Sequence, residues 1–315
     1  MIGQLTFTRL SRGISLASGM ALALAHGFGE VPSYIDLAFF LLMMVFVGIP
    51  HGGVDHLIAS EYSKSDKKPF QLWKFLLGYV LQMAAYGLTW LFFPSLSLLI
   101  FLLISAWHFG ESDLHPAPRH FLWGLAQMTL GTLVLLFILL REPALTADIL
   151  LRITRGNTSL VEVWKSITAF QNSIYALLIS LLAGLIVFAY RFEKVVWVPG
   201  KWLTFALILL IVYFLPLLPA FGLYFGGWHA LNTFEHIHRF LPKNGSVFNV
   251  WKKSMPLTIV ALLFMLITGL VWWYAYSDLD PLPVLFIFIA MITLPHLLVI
   301  HRMLGTTAQE LPSKV

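Results

Sequence analysis

The sequence predicts an all-α fold: a polytopic helical membrane protein with about ten transmembrane helices. The first observation behind this prediction is composition, because 59% of the 315 residues are hydrophobic and only 11% are charged. A soluble domain is about a quarter charged. The second observation is that apolar runs long enough to cross a hydrocarbon core of about 30 Å recur along the whole chain. No polar stretch between them is long enough for a soluble domain. We therefore expect residues 1–315 to form one integral-membrane domain.

The apolar runs give the position of each expected helix in chain order. They lie near residues 12–28, 34–50, 71–93, 95–113, 120–140, 171–190, 201–217, 219–240, 255–276 and 282–302. Arg9 and Arg12 precede the first run, as basic residues do in a signal peptide, but we favour an uncleaved first helix. The segment 141–170 contains several acidic and basic residues, so we expect it to lie at the membrane surface without crossing.

The basic residues orient this set of helices. When alternate loops are assigned to one side, that side receives all but four of the 20 lysine and arginine residues. The four exceptions all lie in the segment 141–170. By the positive-inside rule, both the N- and the C-terminus are expected to be cytoplasmic. The net charge of +5 fits such basic loops and gives no support to nucleic-acid binding. Cysteine is absent, which excludes disulfides, thiolate metal sites and iron–sulfur clusters.

Four of the expected helices carry a histidine motif towards their cytoplasmic ends. The motifs are Pro50-His51-Gly52-Gly53-Val54-Asp55-His56, Trp107-His108-Phe109-Gly110-Glu111-Ser112-Asp113, Trp228-His229 with Glu235-His236-Ile237-His238, and Pro295-His296 with His301-Arg302. Ionisable side chains inside a membrane are costly and are a functional hypothesis by default. Because all four helices run in the same direction, their imidazoles reach comparable depths. This arrangement predicts a buried metal site, since neutral imidazole is a common ligand of iron, copper and zinc.

The individual histidines differ in how strongly they indicate a ligand. His51 and His108 are the strongest candidates, and His229 and His236 lie on one helical face two turns apart. His236 is about 10 Å beyond His229 on an ideal helix, so ligation of one metal by both would need a distortion. His296 needs only close packing of the eighth and tenth helices. The fourth ligand therefore stays open between His236 and His296.

Three acidic residues are expected to support these imidazoles from behind. Asp55 lies one turn beyond His51 and could orient its ring. Glu111 and Asp113 follow His108 and are candidates for the same role. We expect the remaining histidines to be structural, interfacial or solvated: His26 structural, His238 and His301 interfacial, and His115 and His120 solvated.

These motifs resemble the Brp/Blh family of bacterial and archaeal membrane β-carotene 15,15′-dioxygenases over nearly the whole chain after the first helix. The resemblance rests on Gly48-Ile49-Pro50-His51-Gly52 with Asp55, on His108-Phe109-Gly110 with Asp113, on an aromatic-rich helix with His229, and on Pro295-His296. It implies an Fe(2+) centre held by four histidines that cleaves β-carotene with O₂ into two retinals. It maps the first three ligands to His51, His108 and His229. The family's fourth ligand position is occupied here by Thr233, so the resemblance does not supply that ligand.

The resemblance also implies a multi-pass protein of the prokaryotic cytoplasmic membrane and a product that a rhodopsin pathway would use. Three alternatives stay open at this point. One is a haem-binding or metal-transporting membrane bundle, and another is a family member that acts on a different lipid substrate. The third, a di-iron lipid desaturase or hydroxylase, is disfavoured because no two histidines are three or four residues apart.

Overall fold

The computed structural model of the protein describes residues 4–115, 120–192, 199–241, 245–275 and 282–309. Over these residues the secondary structure consists of helices joined by short turns, which confirms the all-α fold class. The helices are α1 Gln4–Phe28, α2 Ser33–Met43, α3 Ile49–Gly52, α4 Asp55–Ser65, α5 Leu72–Phe92, α6 Pro94–Asp113, α7 Phe121–Leu139, α8 Pro143–Ile153, α9 Thr158–Ala169, α10 Gln171–Phe192, α11 Pro199–Tyr213, α12 Leu217–Tyr224, α13 Leu231–Phe240, α14 Val247–Ala275 and α15 Leu282–Gln309. Two π-helical segments, π1 Met44–Gly48 and π2 Phe225–Ala230, join α2 to α3 and α12 to α13.

Seven segments of the described chain are long and apolar enough to cross a membrane. They are Ser33–Ser65, Leu72–Phe92, Pro94–Asp113, Phe121–Leu139, Gln171–Ala189, Val247–Val271 and Phe286–Thr306. Gly200–Tyr213 is apolar but shorter. The polytopic membrane class is therefore confirmed, whereas the number of ten crossings and the side of the termini stay predictions. The segment 141–170 forms α8 and α9, of 11 and 12 residues, each shorter than the roughly 20 residues that a crossing needs.

Helices α6 and α7 pack with their backbones almost in contact because two glycines face the opposite helix. A Cβ atom built on Gly110 would lie 1.7 Å from the carbonyl oxygen of Gln127, and one on Gly131 would lie 1.7 Å from the carbonyl oxygen of Ala106. Small residues permit such close approach in membrane helices. This contact fixes the position of α6, the helix that carries His108.

The π-helical segments lie at two of the histidine motifs. Segment π1 ends just before α3, which contains His51, and π2 contains His229. A π-helical turn adds a residue to one turn and is frequently found at functional sites. It rotates the following side chains relative to an ideal helix, so the helical faces inferred from the sequence do not apply across these segments.

Candidate metal centre

The structure brings together four histidines from four separate helical segments: His51, His108, His229 and His296, here called the four-histidine cluster. All four side chains are buried. The ring centroids are 4.7 Å apart for His51 and His296, 4.7 Å for His108 and His229, 5.0 Å for His108 and His296, and 5.6 Å for His51 and His229. The structure thus brings together one histidine from each of the four motifs.

Three of the four histidines have nitrogen atoms close enough to share one metal ion, and the fourth lies against one of them. Candidate ligand atoms of His51, His108 and His296 lie within 4.8 Å of one another, and Nε2 of His108 is 3.1 Å from Nε2 of His229. Two nitrogens on adjacent positions of one metal, each bound at about 2.1 Å, are about 3 Å apart. Among the described residues, Nε2 of His51 and of His296 have no hydrogen-bond partner although they are buried. Leaving such atoms unpaired is costly, and a metal ion would satisfy them.

The tautomers of two cluster histidines suit metal binding. Nδ1 of His51 donates to the carbonyl oxygen of Gly48, and Nδ1 of His296 donates to both carboxylate oxygens of Asp55 at 3.0 Å. A neutral imidazole that carries its proton on Nδ1 presents the Nε2 lone pair to a metal. These contacts therefore orient both rings with their Nε2 atoms available as ligands.

Asp55 supports a different histidine from the one that the sequence suggested. The expectation that it orients His51 assumed a continuous helix, but α3 ends at Gly52 and α4 begins at Asp55. The break moves the carboxylate away from the face of His51 and towards His296. The hydroxyl of Tyr79 on α5 donates to Oδ2 of Asp55 at 3.0 Å and helps to hold it in place.

The two acids after His108 also have partners other than His108. Asp113 accepts from the hydroxyl of Tyr224 at 2.6 Å and from the side-chain amide of Asn232 at 3.3 Å. Its Oδ1 is 3.9 Å from Nδ1 of His229, which is close but too long for a hydrogen bond. Glu111 instead accepts from Nδ1 of His301 at 2.6 Å, and this pair joins α6 to α15 one turn beyond the cluster.

His236 lies outside the four-histidine cluster. Its Nε2 donates to the carbonyl oxygen of Ser112 at 3.1 Å, near the end of α6, and its ring packs on His115 with the centroids 4.7 Å apart. The physical reason is the distance along the helix, since seven residues correspond to about 10 Å. Thr233 is also occupied elsewhere: its hydroxyl donates to the carbonyl oxygen of His229 and bonds with the hydroxyl of Ser112, both at 3.0 Å.

Of the remaining histidines, His26 and His120 lie as expected and His115 does not. His26 pairs with Asp36 at 2.8 Å, and His120 is exposed. His115, expected to be solvated, is buried at the end of α6, where Lys201 donates to its carbonyl oxygen at 3.1 Å. Burial lowers the pKa of His115 to about 4, and the nearby positive charge of Lys201 acts in the same direction. The ring of His115 packs on His236 of α13, a contact that the local sequence does not indicate.

An apolar cavity of about 500 Å³ adjoins the four-histidine cluster. Its wall includes His51, His108 and His296, and apart from Asp55 and a few hydroxyl groups it consists of aliphatic, aromatic and methionine side chains. On α15 the lining runs from Phe286 to His296, about 15 Å along an ideal helix. The sequence did not reveal this cavity, because residues that line it are as apolar as residues that face lipid.

Part of the cavity wall reaches the exposed apolar surface of the helices, the surface that we expect to face lipid. Five of its lining residues, Leu41, Val80, Ala84, Val260 and Phe264, are themselves exposed, and we call them the mouth. Val80, Val260 and Phe264 are 57%, 61% and 54% exposed. Val80 and Ala84 on α5 are four residues apart, as are Val260 and Phe264 on α14. Each pair therefore lies on one helical face. An apolar molecule dissolved in the bilayer could enter between these helices.

The fold and the site define a polytopic helical membrane protein with a buried four-histidine cluster, three members of which line an apolar cavity. The family model described as Beta-carotene 15,15'-dioxygenase matches residues 42–304. The chain belongs to this family, which confirms the resemblance inferred from the motifs. All four cluster histidines lie within the matched residues, whereas α1 lies before them.

A curated relative is similar to one part of the chain. It is a Beta-carotene 15,15'-dioxygenase from Uncultured marine bacterium 66A03, 42% identical over 83 residues. The match covers 26% of this chain and 30% of that relative. The matched segment therefore spans less than a third of the length of the relative. No solved structure matches the chain.

Proposed function

We propose that the protein is an iron-dependent dioxygenase that cleaves β-carotene, or a related carotenoid, at its central double bond to give retinal. The observation that carries the proposal is the convergence of four buried imidazoles, two with unpaired Nε2 atoms, beside an apolar cavity that three of them line. Membership of the β-carotene dioxygenase family supports the substrate class.

In this proposal the four-histidine cluster holds one Fe(2+) ion. His51 and His296 offer Nε2 lone pairs fixed by Gly48 and Asp55, His108 lies within reach of the same ion, and Nε2 of His229 lies 3.1 Å from that of His108. The uncharged, nitrogen-only donor set suits iron, and the chain offers no thiolates to compete. Fe(2+) bound by these residues would supply the means of activating O₂ without a separate reductant.

The cavity accounts for substrate binding by shape. A carotenoid hydrocarbon has no group that can bind a metal or donate a hydrogen bond, so apolar contacts alone must hold its central double bond beside the cluster. The balanced reaction breaks one C=C bond and the O–O bond and forms two C=O bonds, with no net proton or external electron. Asp55, the one acid among the described lining residues, already accepts from His296 and Tyr79, which fits a reaction without an acid–base step.

Co-expression in a carotenoid-producing host tests the proposed function. Cells that make the protein should bleach and accumulate retinal, which a rhodopsin pathway could then consume. Unchanged carotenoid with folded protein present and iron supplied would contradict the proposal. The alternative of a bis-histidine haem predicts a strong Soret band in the purified protein. It fits the site less well, because four imidazoles packed this closely leave no space for a planar macrocycle.

Substitution of Asp55 with asparagine should weaken metal binding. The change keeps the shape of the side chain but removes the charge that orients His296 and raises its basicity. Loss of such a partner of a metal-ligating histidine typically lowers affinity by about 10–100-fold. The measurement is iron retention by purified protein during titration with a chelator. Asp36→Asn is the matched control, since Asp36 pairs with His26 instead. Equal retention by the two variants would show that Asp55 does not support the centre.

Substitution of Ala84 with tryptophan should obstruct the mouth. A bulky ring at this exposed lining position would exclude the polyene, and filling space of this kind costs about 1–3 kcal/mol, or about 5–150-fold in kcat/KM. Iron content should not change. The measurement is turnover of β-carotene in liposomes, with Ala183→Trp on the exposed face of α10 as the control. If both variants turn over at the wild-type rate, the substrate does not enter between α5 and α14.

A further inference from the structure

Helix α1 lies outside the residues matched by the family model, yet it packs along the helix that carries His229. A Cβ atom on Gly19 would lie 2.8 Å from Leu223, and one on Gly227 would lie 2.9 Å from the Cβ of Ser15. As the residue number increases along α1, the number of the residue that it contacts on the other helix decreases. The two helices are therefore antiparallel and in close contact.

Arg12 extends this contact towards the metal centre through polar groups. Its Nη2 donates to Oδ1 of Asn232 and lies 3.2 Å from Oε1 of Glu235. The guanidinium also lies over the ring of Trp228, 5.6 Å from its centroid. These three partners come from π2 and α13, and the Arg12 side chain is only 20% exposed. Arg12 is thus held in one orientation by the segment that contains His229.

Asn232 passes this constraint to Asp113. Because Arg12 occupies Oδ1 of Asn232, the amide nitrogen of Asn232 is turned towards Asp113 and donates to its Oδ1 at 3.3 Å. This Oδ1 atom of Asp113 is also the one that lies 3.9 Å from Nδ1 of His229. Asn232, Asp113 and His229 are all buried, and Nδ1 of His229 has no hydrogen-bond partner within the described part of the chain.

We propose that Arg12 is a positioning residue: through Asn232 it sets the carboxylate of Asp113 behind His229, so that α1 tunes the affinity of the four-histidine cluster for its metal. The proposal rests on the metal centre proposed above. A carboxylate placed behind a ligating imidazole orients the ring and increases its basicity. In this chain one of the hydrogen bonds that hold the carboxylate leads, through Asn232, to a helix that the family match does not include.

Metal affinity of purified variants tests this role without requiring turnover of carotenoid. Arg12→Gln should lower the affinity for Fe(2+) by about tenfold, the lower limit of effects reported for outer partners of metal ligands. Arg12→Lys keeps the charge and should recover part of the loss. Arg9→Gln removes an exposed arginine from the same helix and should leave the affinity unchanged. If the Arg12→Gln variant loses thermal stability but binds Fe(2+) as tightly as the Arg9→Gln variant, Arg12 is merely structural and the proposal is wrong.

A double-mutant cycle checks that the effect passes through Asn232. In an Asn232→Ala background, Arg12→Gln should cause no further loss of affinity, because the link to Asp113 is already broken. Additive losses would contradict the proposed route. Failure of the proposed function gives a different result: wild-type protein would bind metal and respond to these substitutions but leave carotenoid intact.

Discussion

Replacement of His296 with alanine is expected to release the metal and abolish carotenoid cleavage, whereas His236→Ala should retain both. His296 presents a buried, unpaired Nε2 to the cluster, and its Nδ1 is held by Asp55. His236 instead donates to the carbonyl oxygen of Ser112. Loss of a ligand should reduce the affinity by more than the roughly 100-fold that loss of an outer partner causes.

The measurement is metal content after purification, together with retinal formation. His236→Ala serves as the matched control, because it removes a buried histidine from a neighbouring position without touching the cluster. A His296→Ala protein that keeps full iron while His236→Ala loses it would place the fourth ligand on α13, as the sequence alone allowed.

Replacement of Gly110 with alanine should have the largest effect on stability. The added methyl group would lie 1.7 Å from the carbonyl oxygen of Gln127, a backbone atom that cannot move without separating α6 from α7. Overpacking typically costs about 1–3 kcal/mol, and a clash with backbone should reach or exceed that range. Because α6 carries His108, separation of the helices should also lower metal affinity.

Thermal unfolding in detergent measures this effect, with Gly78→Ala and Gly184→Ala as controls. A methyl group at either control position meets nothing within 4 Å, so these variants should match or slightly exceed the stability of the wild type. Gly110→Ala protein with wild-type stability and full metal would show that α6 and α7 do not pack as closely as the structure indicates.

The sequence predicted the fold class because composition and long apolar runs depend little on tertiary contacts. It also predicted that His51, His108, His229 and a fourth histidine reach one depth, since helix direction and the number of residues determine depth. It could not choose between His236 and His296, nor assign Asp55 to His296. The assignment of Asp55 depends on the interruption of the helix between Gly52 and Asp55. The choice of His296 depends on how α15 packs against the helices that carry the other three histidines.

Other features were hidden for a different reason. The mouth cannot be recognised from the sequence because Val80 and Val260 are apolar whether they face lipid or a cavity. The buried ring of His115 packs on His236, far away along the chain. The link from Arg12 to Asp113 requires Asn232 to lie between α1 and α6. Each of these features arises from packing between distant segments, and no local pattern indicates it.

Product analysis on purified protein, stripped of metal with a chelator and then supplied with Fe(2+), tests the central claim most directly. The account predicts no β-carotene consumption before iron is restored. After restoration it predicts consumption of one O₂ for each carotene and formation of two molecules of retinal. No apocarotenal with a chain longer than that of retinal should form. Cleavage by the metal-free protein, products of unequal length, or intact β-carotene with folded, iron-loaded protein would contradict it.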